Sequence, residues 1–335
     1  MNFAPLAEAT RGAQLESIHH GAVAVVDLDG KVLYYAGDPH FLTFTRSTLK
    51  PFQALPFLRA GGPARFGFTS QEIALMCASH SGEAMHIEAV QSMLGKAGCD
   101  EHHLRCGCHV PIRYSIENRQ PTAEERFNQL YNNCSGKHAG FLAYCVQHGH
   151  PLDSYLDPAH PLQEAVRESV AQAAGMAPAD LVAGTDGCSA PNYAMPLSRL
   201  ALAYARLAQG DKDAEFGDLF GELFGAMTRH PELVSGHGRA DLAFMQTTPG
   251  DWIAKGGAEG VQAIGIRSAG LGVAIKVADG NARALYPAAI AVLQQIGLLG
   301  AVDSTPLASW FRPEIRNLRG LRTGEIRPTI RLEKV

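Results

Sequence analysis

Strand-forming segments lie near both ends of this 335-residue chain, and helical patterns fill its middle. Near the N-terminus, apolar β-prone runs at 21–27 and 31–36 flank Leu28-Asp29-Gly30, and Asp-Gly in that setting predicts a β-hairpin. Strand character returns late in the chain, at 251–255, 261–267 and 271–277. We therefore predict an α/β fold, with an antiparallel sheet built from both chain ends and a large helical insertion.

Between the two groups of strands, apolar residues recur at the spacing of amphipathic helices. These patterns are broken by Gly and Pro and cover 71–78, 86–97, 122–131, 137–148, 161–174, 196–209 and 214–228, followed after the late strands by 283–298. We treat residues 1–335 as a single unit. Its sheet portion comprises 15–40 plus 250–300, and its mainly helical portion comprises 41–249.

The charge balance excludes a nucleic-acid partner. The formal net charge is −4 and the isoelectric point about 6.4, so the chain lacks the basic field that phosphate-backbone binding needs. Residues 311–335 are locally basic, with seven Arg or Lys against three Glu. Because apolar residues separate these charges, we interpret the segment as a solvated tail face.

The N-terminus and the cysteines indicate a cytoplasmic protein. Met1–His20 lacks a charged region followed by an apolar one, and no run approaches the roughly 18 apolar residues of a membrane helix. We therefore expect no membrane association. In a reducing compartment the seven cysteines stay thiols or bind metal.

A Ser-x-x-Lys motif occurs in Arg46-Ser47-Thr48-Leu49-Lys50. At a helix start, residues i and i+3 share a face, so the amine of Lys50 can reach the hydroxyl of Ser47. Unpaired backbone N–H groups at such a position can also hold an oxyanion. This is the nucleophile motif of penicillin-binding proteins and β-lactamases. Taken alone, the motif favours an N-capping serine and a surface lysine over a nucleophile.

Two polar segments open onto or follow helical patterns. Ala78–Glu83 supplies two hydroxyls, an imidazole and a carboxylate at a helix-to-loop junction. Asn132–Gly140 places Cys134 either with His138 at i+4 or with Lys137 at i+3, and either pair could supply two ligands on one face. Each segment alone is also compatible with helix capping, and a buried cysteine often serves only packing.

Two later segments carry charged side chains in tight turns or at a strand end. Gly184–Pro191 contains Asp186 and Cys188, and its carboxylate could hold a substrate ammonium or stabilise a turn. In Trp252–Gly260, Lys255 stands at a strand end before two glycines. Cys106-Gly107-Cys108-His109 lacks a second ligand pair and is interpreted as structural.

Together these segments resemble the rhizobial-type L-asparaginase II family, the thermolabile class of asparaginases. The resemblance runs from about residue 15 to 330. The matching text is RSTLKPFQALP (46–56), CASHSGE (77–83), CGCHVP (106–111), NNCSGKHAGF (132–141), GTDGCSAPNYAMPL (184–197) and AKGGAEG (254–260). The Thr-Gly-Gly-Thr signature of the classical bacterial asparaginases is absent from the N-terminal region.

The resemblance implies a fold like that of serine β-lactamases and glutaminases, an amidohydrolase activity, a homodimer and a zinc ion. It implies two Ser–Lys pairs, Ser47 with Lys50 and Ser79 with Lys255. It also implies that zinc is bound by Cys134, Lys137 and Cys188. Asp186 matches the position that anchors the substrate α-amino group, and Arg46, His80 and Asn133 are further predicted substrate contacts.

For this site we hypothesise that Ser47 attacks the side-chain amide of L-asparagine and forms a β-aspartyl ester, which water then hydrolyses. Lys50 would be the base, with Ser79 and Lys255 as a proton relay. A lysine base must be neutral. Lowering a lysine pKa from about 10.4 to near 7 requires the site to destabilise the charged form by about 4–5 kcal/mol relative to the neutral one. Two lysines close together supply part of this. Which serine is acylated stays open.

Three alternatives to an asparaginase remain at this point. A glutaminase or a penicillin-reactive hydrolase of the same fold would use the same Ser and Lys residues. A non-catalytic metal-binding or sensor protein would keep the cysteines and the pocket without turnover. Ammonia release and labelling by a β-lactam distinguish these possibilities.

Overall fold

A computed structural model of the protein describes residues 2–335. The described chain folds as two compact units. The first contains the residues up to Thr48, Met195–Ala208 and Ala243–Val335, and the second contains Leu49–Ala194 and Gln209–Leu242. The first unit therefore draws on both ends of the chain and the second on its middle. Assignment of 1–335 to one amidohydrolase unit stays a prediction.

The strands are short to medium in length, and most of them belong to the first unit. In chain order they are β1 (Ala4–Arg11), β2 (Gln14–Val26), β3 (Val32–Ala36), β4 (Leu42–Phe44), β5 (Val182–Thr185), β6 (Pro191–Pro196), β7 (Trp252–Gly257), β8 (Val261–Ile266), β9 (Leu271–Val277), β10 (Glu314–Arg316), β11 (Arg322–Pro328) and β12 (Glu333–Lys334).

The sheet of the first unit has the order β10-β11-β1-β2-β9-β8-β7, and β3 pairs with both β2 and β12. Every pair in it is antiparallel. The mixed α/β fold with an antiparallel sheet from both chain ends is thus confirmed. Its central strand β2 is almost wholly buried from His19 to Val26, because both faces of the sheet are covered there.

The sheet extends beyond the predicted segments at both termini. Strand β1 and the three last strands were not predicted. Residues 311–335, interpreted as a solvated tail face, are mostly exposed but form strands of the sheet rather than a tail. In β11 the side chain of Ile326 is buried while the charged residues on either side of it are partly exposed. Buried and exposed side chains thus alternate along this strand. A Cβ at Gly324 would lie 1.8 Å from the Thr10 carbonyl oxygen, so β11 approaches β1 very closely.

The helices are α1 (Lys50–Gln53), α2 (Leu55–Arg59), α3 (Gly62–Phe66), α4 (Ser70–Met76), α5 (Ala84–Lys96), α6 (Ile112–Ile116), α7 (Ser135–His148), α8 (Pro161–Ala173), α9 (Leu197–Gln209), α10 (Asp218–Arg229), α11 (Pro231–Val234), α12 (Ala240–Thr247), α13 (Ala282–Gln295) and α14 (Ala308–Phe311). None of the helices within residues 2–335 is both long enough and apolar enough to cross a membrane.

The helix predicted at 122–131 is absent, and only a short 3-10 turn at Gln129–Tyr131 forms there. The carboxylate of Glu125 explains the difference. It accepts hydrogen bonds from the backbone N–H of Thr122 and from the hydroxyl of Tyr114, which fold the segment into a turn. A side chain that satisfies the backbone locally competes with helix formation. The other predicted helices form close to their predicted positions.

Helix α9 packs on the sheet through two glycines that face each other across β8 and β9. Gly265 and Gly272 are register partners. A Cβ at Gly272 would lie 1.9 Å from the Ala201 carbonyl oxygen, and one at Gly265 would lie 2.2 Å from that of Tyr204. The helix backbone therefore touches the sheet directly, which no larger residue would permit.

Replacing Gly272 with Ala should destabilise the protein, since the added methyl group must displace helix α9. We expect the free energy of unfolding to fall by about 1–3 kcal/mol or more. Gly95→Ala is the matched control. It lies inside α5 with no atom within 4 Å of the new Cβ, so it should add about 0.5–1 kcal/mol. Urea unfolding measures both, and equal effects would contradict the close packing.

Candidate active site

The loop that follows α4 carries Ser79, and backbone hydrogen bonds fix it from two sides. The N–H of Ser79 donates to the Val234 carbonyl oxygen at 2.9 Å, and that of His80 donates to the Asn133 carbonyl oxygen at 3.2 Å. One residue on, the hydroxyl of Ser81 donates to the Ser235 carbonyl oxygen at 2.8 Å. Ser79 is 5% exposed, so its hydroxyl sits in a buried, ordered position.

The amine of Lys50 lies against this loop. Its Nζ donates to the Ser79 hydroxyl at 3.1 Å, to the Asn133 carbonyl oxygen at 3.3 Å and to the Ala78 carbonyl oxygen. Lys50 begins α1, where Pro51 fits the first turn because no backbone donor is needed there. At 1% exposure the amine is shielded from water. The lysine of the first predicted pair thus contacts the serine of the second.

A second cluster contains the three predicted metal ligands. Cys134 and Lys137 lie at the start of α7, and Cys188 lies in the turn between β5 and β6. The Nζ of Lys137 is 3.1 Å from the Cys188 sulfur, and the Cys134 thiol also hydrogen-bonds to that sulfur. Gly136 makes this position possible: a Cβ there would lie 2.4 Å from the Leu75 carbonyl oxygen of α4.

The charges in this cluster are coupled. The hydrogen bond from Cys134 lowers the pKa of Cys188 far below its usual range, with help from the charge of Lys137 and against the effect of burial. The same bond, together with burial, raises the pKa of Cys134. Burial by itself would lower the pKa of Lys137, but the charges of the two cysteines outweigh it and raise that pKa. The arrangement is therefore a thiolate held by a thiol and an ammonium.

The donor set fits a zinc ion. Two sulfurs and one amine converge in a buried position, and a thiolate is the ligand form that zinc prefers. The buried ring of His138 hydrogen-bonds to the Cys188 sulfur and helps to lower the pKa of that thiol. Within those residues, no three His, Cys, Asp or Glu side chains are grouped to hold a metal. A zinc site therefore depends on Lys137 as its third donor.

Asp186 and Asn133, two of the predicted substrate contacts, also lie beside these clusters. The carboxylate of Asp186 accepts the Gly187 N–H at 2.8 Å and faces the amide of Asn192 at 3.4 Å. Its charge also helps to raise the pKa of Lys137, so the two are near each other. Asn133 presents its carbonyl oxygen to Lys50.

His80 is buried and both of its ring nitrogens are engaged by the protein. Its Nδ1 accepts the Gly82 N–H at 3.2 Å, so its Nε2 donates to the Ser135 hydroxyl at 2.8 Å. The ring of His86 stacks on it at 5.1 Å. Desolvation lowers the pKa of both rings, that of His86 to about 4. His80 therefore supports the Ser79 loop as a neutral imidazole, and its predicted contact with substrate stays a prediction.

The remaining predicted residues belong to the first unit. Ser47 lies in a 3-10 turn, directly after Arg46, whose φ of +53° is a strained left-handed conformation for a non-glycine residue. The Tyr204 hydroxyl donates to the Thr48 carbonyl oxygen at 2.7 Å and fixes this turn. Lys255 lies fully buried on β7.

Strand β7 and the Ser47 turn are in contact. A Cβ at Gly257 would lie 2.9 Å from the Thr45 carbonyl oxygen, and the guanidinium of Arg46 lies 3.9 Å from the Glu259 carboxylate. The first unit thus brings together the segments of Ser47 and Lys255, and the second unit brings together Lys50 and Ser79. This division follows from the boundary between Thr48 and Leu49, where the chain passes from the first unit to the second.

Sequence reasoning missed the segment 232–239, which holds the Ser79 loop. The carbonyl oxygens of Val234 and Ser235 accept hydrogen bonds from the loop, and the Glu83 carboxylate accepts the His237 N–H at 2.9 Å. Gly236 and Gly238 adopt φ values of +113° and +69°. Two glycines around His237 were the available signal for a turn of this kind.

The sequence matches the L-asparaginase II family over residues 7–328. The chain belongs to that family. Its enzyme class is accordingly that of an amidohydrolase, and a small-molecule substrate is consistent with it. No protein with a curated description matches this sequence significantly.

Several solved structures are similar in part. The match to Mglu covers 84% of this chain and 68% of the Mglu chain at 13% identity, with a TM-score of 0.44. For Mglu in its glutamate form, the match covers 83% of this chain and 61% of that chain at 13% identity, with a TM-score of 0.46. For a beta-lactamase from Mycobacterium bovis, the match covers 82% of this chain and 94% of that chain at 15% identity, with a TM-score of 0.34. At TM-scores below 0.5, these similarities carry no argument about the fold or the activity of this protein.

The two stacked histidines predict that the protein loses stability in mild acid. In the unfolded chain a histidine binds a proton below about pH 6.5. Folded His86 resists protonation until about pH 4, because burial lowers its pKa. The contribution of neutral His86 to the free energy of unfolding is therefore complete above pH 6.5. It is lost as the pH falls toward 4, and the total loss is about 3 kcal/mol. Urea unfolding at several pH values measures this slope.

His86→Gln should flatten the slope, with the remainder coming from His80. His102→Gln is the control, since His102 is exposed and should leave the slope unchanged. An identical pH profile for wild type and His86→Gln would show that the buried imidazole does not carry the effect.

Proposed function

We propose that this protein is an L-asparaginase that releases ammonia and L-aspartate through a serine acyl-enzyme. The observation that carries the proposal is the contact between the buried amine of Lys50 and the Ser79 hydroxyl at 3.1 Å. A buried Ser–Lys contact is the arrangement in which an amine can take a hydroxyl proton. Membership of the L-asparaginase II family supports the choice of substrate.

In the proposed mechanism, the hydroxyl oxygen of Ser47 attacks the side-chain amide carbon of L-asparagine and its proton passes to Lys50. Ser79 and Lys255 relay a proton to the departing nitrogen, so ammonia leaves and a β-aspartyl ester remains. Water then attacks the ester and its proton returns by the same relay, which releases L-aspartate. The lysines act as bases only in their neutral form.

A second version exchanges the two serines, and one observation favours it. Lys50 donates directly to Ser79, which would make Ser79 the acylated residue and Lys50 its base. The burial of Ser79 at 5% exposure would protect an ester from premature hydrolysis. The Ser47 turn, with its strained Arg46, is the argument for the first version.

For substrate binding we propose that the carboxylate of Asp186 pairs with the α-ammonium group. Asn133 and Arg46 would complete the polar contacts, and His80 would act by holding the Ser79 loop. Cys134, Lys137 and Cys188 would hold zinc. A bound zinc ion supplies Lewis-acid polarisation of a nearby oxygen. We also propose a cytoplasmic location, as expected from the sequence of the N-terminal segment, and a homodimer, as the family resemblance implies.

The rival functions use the same residues differently. A glutaminase would release ammonia faster from L-glutamine, and a penicillin-reactive hydrolase would be labelled at a serine by a β-lactam. A non-catalytic metal-binding protein would release no ammonia from any small amide. No specific observation in the second unit favours these over the asparaginase.

Ammonia release from L-asparagine should fall by more than about a thousandfold in Ser47→Ala, because the nucleophile is lost. Ser79→Ala should lose less, about 100-fold, since a relay is worth about 10²–10⁴. A coupled glutamate dehydrogenase assay measures both. Ser92→Ala, which removes a hydroxyl bound to Glu72, is the control and should keep activity.

Substantial activity in Ser47→Ala with none in Ser79→Ala would support the second version instead. Faster turnover of L-glutamine than L-asparagine, or stable penicillin labelling, would replace the asparaginase by a rival. No ammonia from either amide would contradict the proposal altogether.

Zinc should co-purify with the wild-type protein at about one ion per chain when no chelator is used. Cys188→Ser should abolish binding, because it removes the ligand that is already a thiolate. Cys108→Ser is the control, since that cysteine is exposed. Elemental analysis measures the content, and metal-free wild type would refute the site.

A further inference from the structure

Two arginines of the second unit have buried donors without a partner. Arg113 and Arg239 are both half-buried residues. Nε of Arg113 and Nη1 of Arg239 are sealed from solvent and have no hydrogen-bond partner among residues 2–335. A buried charged donor that lacks a partner is costly, so structures rarely keep one without a ligand.

Both arginines flank the loop that carries Ser79. The backbone N–H of Arg113 donates to the Ser81 carbonyl oxygen at 3.0 Å. Arg239 is close enough to His80 and His86 for its positive charge to help lower the pKa of each ring, after the larger effect of desolvation. The two cations are therefore placed on segments that touch the same loop.

The two segments also meet each other. A Cβ at Gly238 would lie 2.8 Å from the side chain of Ile116 in α6. Ile116 and Arg113 stand three residues apart and share a face of that helix. The face of α6 that carries Arg113 therefore abuts the residue before Arg239.

A third unpartnered donor belongs to a residue whose backbone contacts the loop. Ser235 is 0% exposed, and its hydroxyl has no hydrogen-bond partner among residues 2–335 although its carbonyl oxygen accepts from Ser81. The nearest acid on the loop, Glu83, is already engaged by His237 at 2.6 Å and 2.9 Å. The protein thus supplies donors here and leaves the matching acceptor to a ligand.

We propose that Arg239 and Arg113, with the Ser235 hydroxyl, form a carboxylate-binding subsite beside the Ser79 loop. A planar guanidinium matches a carboxylate through two parallel hydrogen bonds, and a hydroxyl adds a third donor. The carboxylate is either the α-carboxylate of the amino-acid substrate or that of a separate small dicarboxylate. The first source rests on the proposed asparaginase function, and the second does not.

Arg46, the arginine predicted from the sequence for substrate binding, differs in its surroundings. Its guanidinium faces the Glu259 carboxylate at 3.9 Å, so part of its charge is already offset. Arg239 has no such partner within the second unit. The unmatched charge makes Arg239 the stronger anchor for an anion.

Isothermal titration calorimetry of L-aspartate and of succinate tests the subsite without turnover. Arg239→Gln should weaken binding of at least one by about 10- to 100-fold, the usual effect of losing a charge-assisted pair. Arg239→Lys should lose less, since it keeps the charge and loses the planar fork. Arg113→Gln should show a smaller loss. Arg229→Gln, at an exposed position on α10, is the matched control and should bind like wild type.

Steady-state kinetics separates the two sources of the carboxylate. If the substrate fills the subsite, Arg239→Gln raises KM for L-asparagine by about 10- to 100-fold with a smaller change in kcat. The diamide of L-aspartate, which lacks a carboxylate, would then show no such change. If a separate dicarboxylate fills it, KM for L-asparagine is unchanged and only succinate binding is lost.

Equal binding of L-aspartate and succinate by wild type, Arg239→Gln and Arg113→Gln would overturn the subsite. Should Arg239→Gln fail to fold, Arg239→Lys and Arg113→Gln still decide the question. Arginine-dependent binding without any ammonia release would sustain the subsite and refute the asparaginase function. Ammonia release with arginine-independent binding would do the reverse.

Discussion

The amine of Lys50 is the interaction on which the second unit's site depends. It is buried, and it donates to a serine hydroxyl and to two carbonyl oxygens from different segments. A buried amine needs all of these acceptors, because a charged or polar group without them would be strongly unfavourable. The same bonds therefore orient Ser79 and tie the end of α4 to Asn133.

Close backbone contacts make this arrangement possible. Gly136 lets the first turn of α7 touch α4, which places Cys134 and Lys137 beside the Ser79 loop. Gly236 has a similar role, since a Cβ there would lie 2.5 Å from the Glu83 carboxylate. In the first unit, Gly265 and Gly272 let α9 approach the sheet and hold the Ser47 turn through Tyr204. Small residues at element contacts thus control where the reactive side chains stand.

The site contains cations that are matched in different ways. Lys137 is paired with a thiolate, whose charge outweighs the effect of burial on its pKa. Lys50 is satisfied by neutral oxygens, and the two histidines avoid charge altogether by burial and tautomer-specific bonds. Arg113 and Arg239 differ from these groups, because each keeps one sealed N–H without a hydrogen-bond partner in residues 2–335. That contrast distinguishes groups that build the site from groups that await a ligand.

The sequence by itself determined the antiparallel sheet from both chain ends, the main helices and the polar segments around Ser79, Cys134 and Cys188, because local periodicity and motif spacing are written in neighbouring residues. The sequence did not predict strands β1 and β10 to β12. Strand β1 pairs with β11, and β12 with β3, across some 300 residues, and short charged strands such as β10 carry little periodic signal. Only the tertiary structure decided that Lys50 contacts Ser79 and that 232–239 holds the loop of that serine. Such contacts join residues distant in the chain, and no local pattern encodes which of them meet.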